Sequence, residues 1–234
     1  MRRLGPAGAD GWASVDTVIF DFDGTLVNSL DCYHAVFLDS FSRLGLPVVD
    51  KTALLELMRT GQNILELLIP AGWPGRDDVK KQCQTLFRDL WAERSVEAVS
   101  IHAEVIPTIT TLCARGYGLG VATAAQGPWI HHLLEQHQLA PCFGAIVTYA
   151  DVPVRKPAPD LLLECLRRLS REAERSVYVG DSPIDIIAAK AAGVRSIGVL
   201  SGASDRASLE EVEPGLILEH VGQLPAVLEM RSSS

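Results

Sequence analysis

Val18-Ile19-Phe20-Asp21-Phe22-Asp23-Gly24-Thr25 decides the reading of this chain. The apolar triplet predicts a buried strand that ends in two carboxylates one residue apart. Carboxylates at a buried strand end are costly unless a cation or a reaction uses them. The Gly-Thr pair turns the chain sharply and exposes that end. A nucleophilic carboxylate with a neighbouring acid/base has this form.

Outward from this stretch, short apolar runs alternate with helical patterns. Val15 to Phe22, Gly118 to Thr123, Ala145 to Tyr149, Ser176 to Gly180, Arg195 to Leu200 and Leu216 to Glu219 read as buried parallel strands. Val105 to Arg115, Pro128 to His137, Pro159 to Leu169 and Pro183 to Ala192 carry apolar residues at three- and four-residue spacing, as helices do. Pro159 and Pro183 stand where helices begin, and Gly116 and Gly193 where two of them end. The alternation implies an α/β protein: a parallel sheet covered on both faces.

Residues 30–100 break the rhythm. No convincing strand is present there. Tyr33 to Leu44, Lys51 to Thr60, Ile64 to Ile69 and Asp77 to Val96 read as helices, separated by Pro47, Pro70, Gly72, Pro74 and Gly75. The expected organisation is a core of 1–29 and 101–234 with a helical insert of 30–100.

The 234 residues suffice for one large domain or a core with an insert. A hydrophobic content of 47% with 21% charged residues is that of an ordinary globular protein. A net charge of −8 argues against a nucleic-acid surface and requires an anionic substrate to be attracted locally. No apolar run approaches the roughly 20 residues that span a bilayer, and Met1 to Ala13 lacks the hydrophobic stretch of a secretory signal. Frayed tails are expected at both ends. Cys32, Cys83, Cys113, Cys142 and Cys165 form no Cys-x-x-Cys pair, so reduced thiols in a cytoplasmic protein are expected.

Four groups fall at predicted strand ends: Asp21 with Asp23; Thr123; Lys156 in Arg155-Lys156-Pro157-Ala158-Pro159; and Asp181 with Asp185 in Gly180-Asp181-Ser182-Pro183-Ile184-Asp185. In an open α/β sheet, ligands bind beyond the carboxyl ends of the strands, so all four can meet in one crevice. Singly, Thr123 reads as a plain strand-end threonine, Lys156 as a solvated loop lysine, and Gly-Asp-Ser-Pro as a helix start. Their order and spacing resemble the haloacid dehalogenase-like hydrolase superfamily, over nearly the whole chain, with the helical insert where that family places its cap. The phosphoglycolate phosphatase-like branch is the most similar.

The resemblance implies a Rossmann-like core, a helical cap and a Mg²⁺-dependent phosphatase acting on a small phosphorylated metabolite through an aspartyl-phosphate. Asp21 would be the nucleophile and Asp23 the acid and base. Thr123 would hold a phosphoryl oxygen, and Lys156 would neutralise charge. Mg²⁺ would bind Asp21, the main-chain carbonyl of Asp23, and Asp181, with Asp185 acting through a water or behind the ligands. Main-chain N–H groups of Gly24 and Ala124 would add phosphoryl donors. Ala124 and Asn28 depart from the commoner Asn or Ser and Asp of relatives.

In the cap, Arg59-Thr60-Gly61-Gln62-Asn63 resembles a substrate loop, with Arg59 and Asn63 as substrate contacts and Arg59 set for a carboxylate or second phosphate. His34 is a further candidate. His131, His132 and His137 read as a solvated helix, and Cys32, Tyr33 and Trp91 as packing. Three other functions remain: a sugar-phosphate mutase using a histidine near His34, a phosphonate-cleaving enzyme using a cap lysine among Lys51, Lys80 and Lys81, or a non-catalytic phosphometabolite-binding protein. Substrate identity and oligomeric state are not legible in the sequence.

Overall fold

The computed structural model describes residues 12–60, 62–125 and 129–229. Both expected tails, Gly61 and the helix start at Pro128 lie wholly or largely outside these residues. In chain order the elements are β1 (Thr17–Phe20), β2 (Val27–Asn28), α1 (Leu30–Arg43), α2 (Lys51–Arg59), α3 (Ile64–Leu68), α4 (Arg76–Ala98), β3 (Ser100–Ile101), α5 (Val105–Ala114) and β4 (Gly118–Ala122). There follow α6 (Trp129–Gln136), β5 (Ala145–Val147), α7 (Asp160–Leu169), β6 (Ser176–Gly180), α8 (Pro183–Ala192), β7 (Arg195–Val199), α9 (Arg206–Glu210), β8 (Leu216–Leu218) and α10 (Leu224–Leu228).

Six strands form a parallel sheet in the order β5-β4-β1-β6-β7-β8. Side chains alternate between its faces. Val18 and Phe20 pack with Val121, Val177 and Val179 in one apolar cluster, while Ile19 and Tyr178 join α7 and α8 in a second. Burial on both faces explains why β1 reads as an unbroken apolar run. From β1 the chain moves to β4 and β5 on one side, then returns to β6, β7 and β8 on the other. The crevice where the order reverses lies at the carboxyl end of β1, beside those of β4 and β6.

β1 stops at Phe20 because the chain curls. The Phe22 carbonyl accepts from the N–H groups of Thr25, Leu26 and Val27, at 3.3, 2.9 and 3.1 Å. Gly24 takes a φ of +78° in this curl, a region disfavoured for residues with a Cβ. Proline sits at the first position of α8 as expected, whereas Pro159 precedes α7 as its cap.

Helices α1 to α4 fill the insert, with a cluster of their own around Phe37, Phe41, Leu46, Leu54, Ile69 and Cys83. The sequence pattern misses the two-residue ribbon in which β2 and β3 pair antiparallel at the insert's base. Two residues are too few for a period to show. An aromatic seam joins insert to core: Phe22 meets Trp129 at 5.2 Å between ring centroids, Trp129 meets Trp91 at 5.4 Å, and Trp91 stacks on Phe87 at 6.2 Å. Among the described residues, no helix is long and apolar enough to cross a membrane.

Candidate active site

Asp21 follows β1, with its N–H still on the Val179 carbonyl at 2.8 Å. Its Oδ1 accepts from Lys156 Nζ at 2.8 Å. The same ammonium donates to Asp185 Oδ1 at 2.7 Å and to the Tyr178 hydroxyl oxygen at 3.1 Å. All three N–H donors of the lysine thus have partners. Tyr178 donates its own proton to the Ala122 carbonyl at 2.7 Å. Lys156 is only 3% exposed. Burial opposes its charge, but Asp185 and Asp21 outweigh that and hold the ammonium well above the usual lysine range.

Asp181 follows β6. Its Oδ2 accepts from the Ala203 N–H at 2.6 Å, and its Oδ1 from the Thr25 hydroxyl at 3.3 Å. Asp185 sits in the first turn of α8 and accepts from the Ser182 N–H at 3.0 Å, which fixes it at the helix start. Carboxylate oxygens of Asp21, Asp181 and Asp185 lie within 4.8 Å of one another, and all three residues are buried. Burial, then the charges of Asp185 and Asp21, push Asp181 well above the usual carboxylate range. Burial likewise lifts Asp21 to about 7, with Lys156 pulling the other way and Asp185 adding to the rise.

Thr123 is fully buried at the end of β4. Its hydroxyl oxygen accepts from the Ala125 N–H at 3.1 Å, leaving its proton to be donated elsewhere. Asp23 presents a buried Oδ1 with no hydrogen-bond partner. Burial raises this carboxyl above its ordinary range, against the nearby Ser29 hydroxyl and then the charge of Lys156.

A model of haloacid dehalogenase-like hydrolases matches residues 18–199, most of the chain and every side chain of this site named above, though not Ala203. This chain belongs to that family. The hydrolase is 30% identical over 214 residues to the phosphoglycolate phosphatase of Yersinia pseudotuberculosis serotype I, covering 90% of this chain and 92% of that one. It is 29% identical to the phosphoglycolate phosphatase of Escherichia coli K12, over 92% and 93% of the two chains. Among solved structures, CbbY of Rhodobacter sphaeroides in complex with phosphate superposes with a TM-score of 0.74 at 26% identity, over 92% of this chain and 99% of that one.

The fold brings most of the sequence-derived site residues of the hydrolase together and uses others differently. Asp185, expected behind the ligands, touches Lys156 directly and faces Asp21 and Asp181. The Gly24 N–H, expected to hold phosphate, donates to the Val27 carbonyl at 2.9 Å. What Gly24 supplies instead is room, since a Cβ there would lie 2.5 Å from Asp181 Oδ2. Ala124 is exposed beside Thr123. Arg59 reaches the core but grips the Ala203 carbonyl, its Nε at 2.9 Å. Asn63 caps α3, its side-chain oxygen accepting from the Leu65 N–H at 3.0 Å. His34 turns its ring to the Val49 carbonyl at 3.4 Å, and His131 and His132 are exposed on α6.

Sequence reasoning missed Tyr178, Gly202 and Ala203. A tyrosine inside an apolar strand gives no local sign that its hydroxyl will meet a lysine 22 residues earlier. Gly202 follows β7 without a motif, yet a Cβ there would lie 2.0 Å from Asp181 Oδ2. Tyr178→Phe removes the hydroxyl shared by Lys156 and Ala122. We expect it to lower the unfolding free energy by about 1–3 kcal/mol, the usual effect of leaving buried polar partners short. Urea denaturation of the metal-free protein measures this.

Proposed function

We propose that this hydrolase is a Mg²⁺-dependent phosphatase that cleaves a small phosphomonoester, phosphoglycolate-like or sugar-phosphate-like, through a phosphorylated Asp21. The observation that carries the reading is the buried meeting of Asp21, Asp181 and Asp185 around Lys156. Three carboxylates ionised together would outweigh one ammonium, which is why burial and mutual repulsion raise Asp21 and Asp181 in the metal-free protein, and the Asp23 Oδ1 is buried without a partner. An all-oxygen, anionic donor set of this kind fits a hard divalent cation such as Mg²⁺. Asp21 and Asp181 would hold the ion with the Asp23 main-chain carbonyl, and Asp185 stands near enough to join them or orient a bound water. Bound there, the cation would offset charge on the phosphoryl oxygens and the nucleophile.

The residues then have separate tasks. Lys156 keeps Asp21 oriented and limits its charge. Asp21 attacks phosphorus in line as the bond to the leaving oxygen breaks. Asp23, whose proton is favoured by burial, protonates that oxygen. It then takes a proton from the water that attacks the aspartyl-phosphate, and the phosphorus–Asp21 bond breaks. Thr123 donates its free hydroxyl proton to a phosphoryl oxygen, with the Ala124 N–H as a second donor. We take 30–100 as the cap, with 1–29 and 101–234 as the catalytic core, because α1 to α4 carry their own apolar cluster.

The names of the Yersinia and Escherichia relatives, and the phosphate in the CbbY structure, agree with this chemistry. Phosphonate cleavage through a cap lysine lacks support. Lys51 pairs with Asp31, Lys80 with Glu66 and Asp77, and Lys81 with Asp78.

Purified protein with a panel of esters, including 2-phosphoglycolate and hexose phosphates, tests the reading. Phosphate release is expected with Mg²⁺. Chelation should remove several kcal/mol of charge stabilisation, a loss of at least about 100-fold in rate. Release indifferent to chelation, or none from any ester, overturns the proposal. Transfer between sugar positions without net release would instead identify a mutase.

A further inference from the structure

We propose that Arg59 is a positioning residue for Asp181, acting through Ala203, and that it thereby links closure of the cap to Mg²⁺ affinity. The inference rests on the Mg²⁺ reading above and adds a coupling which that reading does not contain.

Arg59 closes α2, in the cap, while Ala203 lies in the core, 144 residues away. Two guanidinium N–H groups converge on the one Ala203 carbonyl, with Nε at 2.9 Å. A cation on a carbonyl is a charge-assisted bond, stronger than a neutral one. The N–H of the same alanine donates to Asp181 Oδ2 at 2.6 Å. One residue is therefore held by the cap at its carbonyl and holds a candidate metal ligand at its amide.

The surroundings allow little slack. Asp181 Oδ2 is packed so closely that a Cβ on Gly202 would lie 2.0 Å away, and one on Gly24 2.5 Å away. Ser201 donates its hydroxyl to the Gly24 carbonyl at 2.8 Å, tying the same loop to the turn after β1. Movement of residues 201–203 would therefore shift Asp181 relative to Asp21. Asp205, just beyond, lies within electrostatic reach of Arg59 and adds to its hold on the loop. When the cap withdraws, Ala203 loses its cationic partner and the Asp181 carboxylate loses a fixed donor. Linkage makes the effect reciprocal: if closure favours the cation, the cation favours closure.

The sign of the effect separates this device from simple electrostatics. Arg59 is itself positive. If it acted on the site by charge alone, its removal would tighten Mg²⁺ binding. A positioning role requires the opposite.

The test is calorimetric titration of Mg²⁺ into the metal-free, full-length protein without substrate. Arg59→Met is expected to weaken binding about 10-fold, the lower range for a group that orients a metal ligand. Unchanged or tighter binding overturns the proposal. Should Arg59→Met fail to fold, Arg59→Gln drops the same charge at this half-buried position, and weaker binding is again required. Amide hydrogen exchange supplies a second readout. Mg²⁺ should slow exchange at Ala203 in the unaltered protein and slow it less in the variant; equal protection overturns the linkage. If the unaltered protein binds no Mg²⁺, or binds it equally after Asp181→Asn, the fault lies with the metal reading itself. Binding that depends on Asp181 but ignores Arg59 refutes the coupling alone.

Discussion

Asp21→Asn should end turnover, with phosphate release falling by at least about 10⁴-fold. The carboxamide carries no nucleophilic oxyanion, so the proposed aspartyl-phosphate could not form. Size and the hydrogen bond to Lys156 are retained, because the amide oxygen still accepts from the ammonium that stands 2.8 Å away. Loss of rate should therefore come without loss of fold. Burial and the Asp185 charge both disfavour the ionised Asp21, so a neutral replacement relieves repulsion in the metal-free protein. Thermal melting without metal should show the variant at least as stable as its parent. A variant that turns over at the parental rate would refute the nucleophile assignment. One that is inactive but unfolded would leave the melting expectation unmet and the rate uninformative, which is why the two are measured together.

Lys156→Met is the second large effect, and it acts on rate and stability at once. Lys156 is buried and donates to Asp21, Asp185 and Tyr178. Methionine keeps most of the stem and removes the charge. Asp21 and Asp185 are then left in a buried site without the ammonium between them. Breaking a buried pair from one side typically costs about 3–5 kcal/mol, and urea denaturation of the metal-free variant should show a loss of that order. Added Mg²⁺ should recover part of it, since the cation supplies the missing positive charge. Turnover with Mg²⁺ should fall by about 10²–10³-fold, as when one preorganised stabilising group is lost. Arg59 offers no substitute, being engaged with Ala203. Lys156→Arg should rescue poorly, because a planar guanidinium does not reproduce three bonds diverging from one nitrogen. Activity within a few-fold of the parent would remove Lys156 from the mechanism.

Much of this architecture is legible in local sequence patterns. The unbroken apolar run of β1 signalled a strand buried on both faces, and both faces are covered. Helix periodicity placed α7 and α8 to within a residue, aided by Pro159 and Pro183. Gly116 and Gly193 follow α5 and α8 with φ values of +77° and +72°. These are local signals, set by side-chain period and backbone sterics. The four groups at strand ends were equally visible, and the sheet order brings Asp21, Lys156, Asp181 and Asp185 into one buried site.

What the sequence alone determined is the set of chemical parts: the acids, the lysine and the threonine, each at a strand end, a helix start or in a proline-containing loop, and a helical insert after the first strand. Their local patterns demanded this, because a buried apolar run must end somewhere and a charged residue there needs a partner. Only the tertiary structure decided which groups those partners are. It turned Arg59 to a carbonyl 144 residues away, gave Lys156 the hydroxyl of Tyr178 as well as two carboxylates, and used Gly24 and Gly202 to make room for Asp181. Such contacts follow from the order in which β4, β1, β6 and β7 lie side by side and from the way the helical insert packs on the core. No periodicity within a single segment encodes that order, because it is fixed by the packing of all the segments at once.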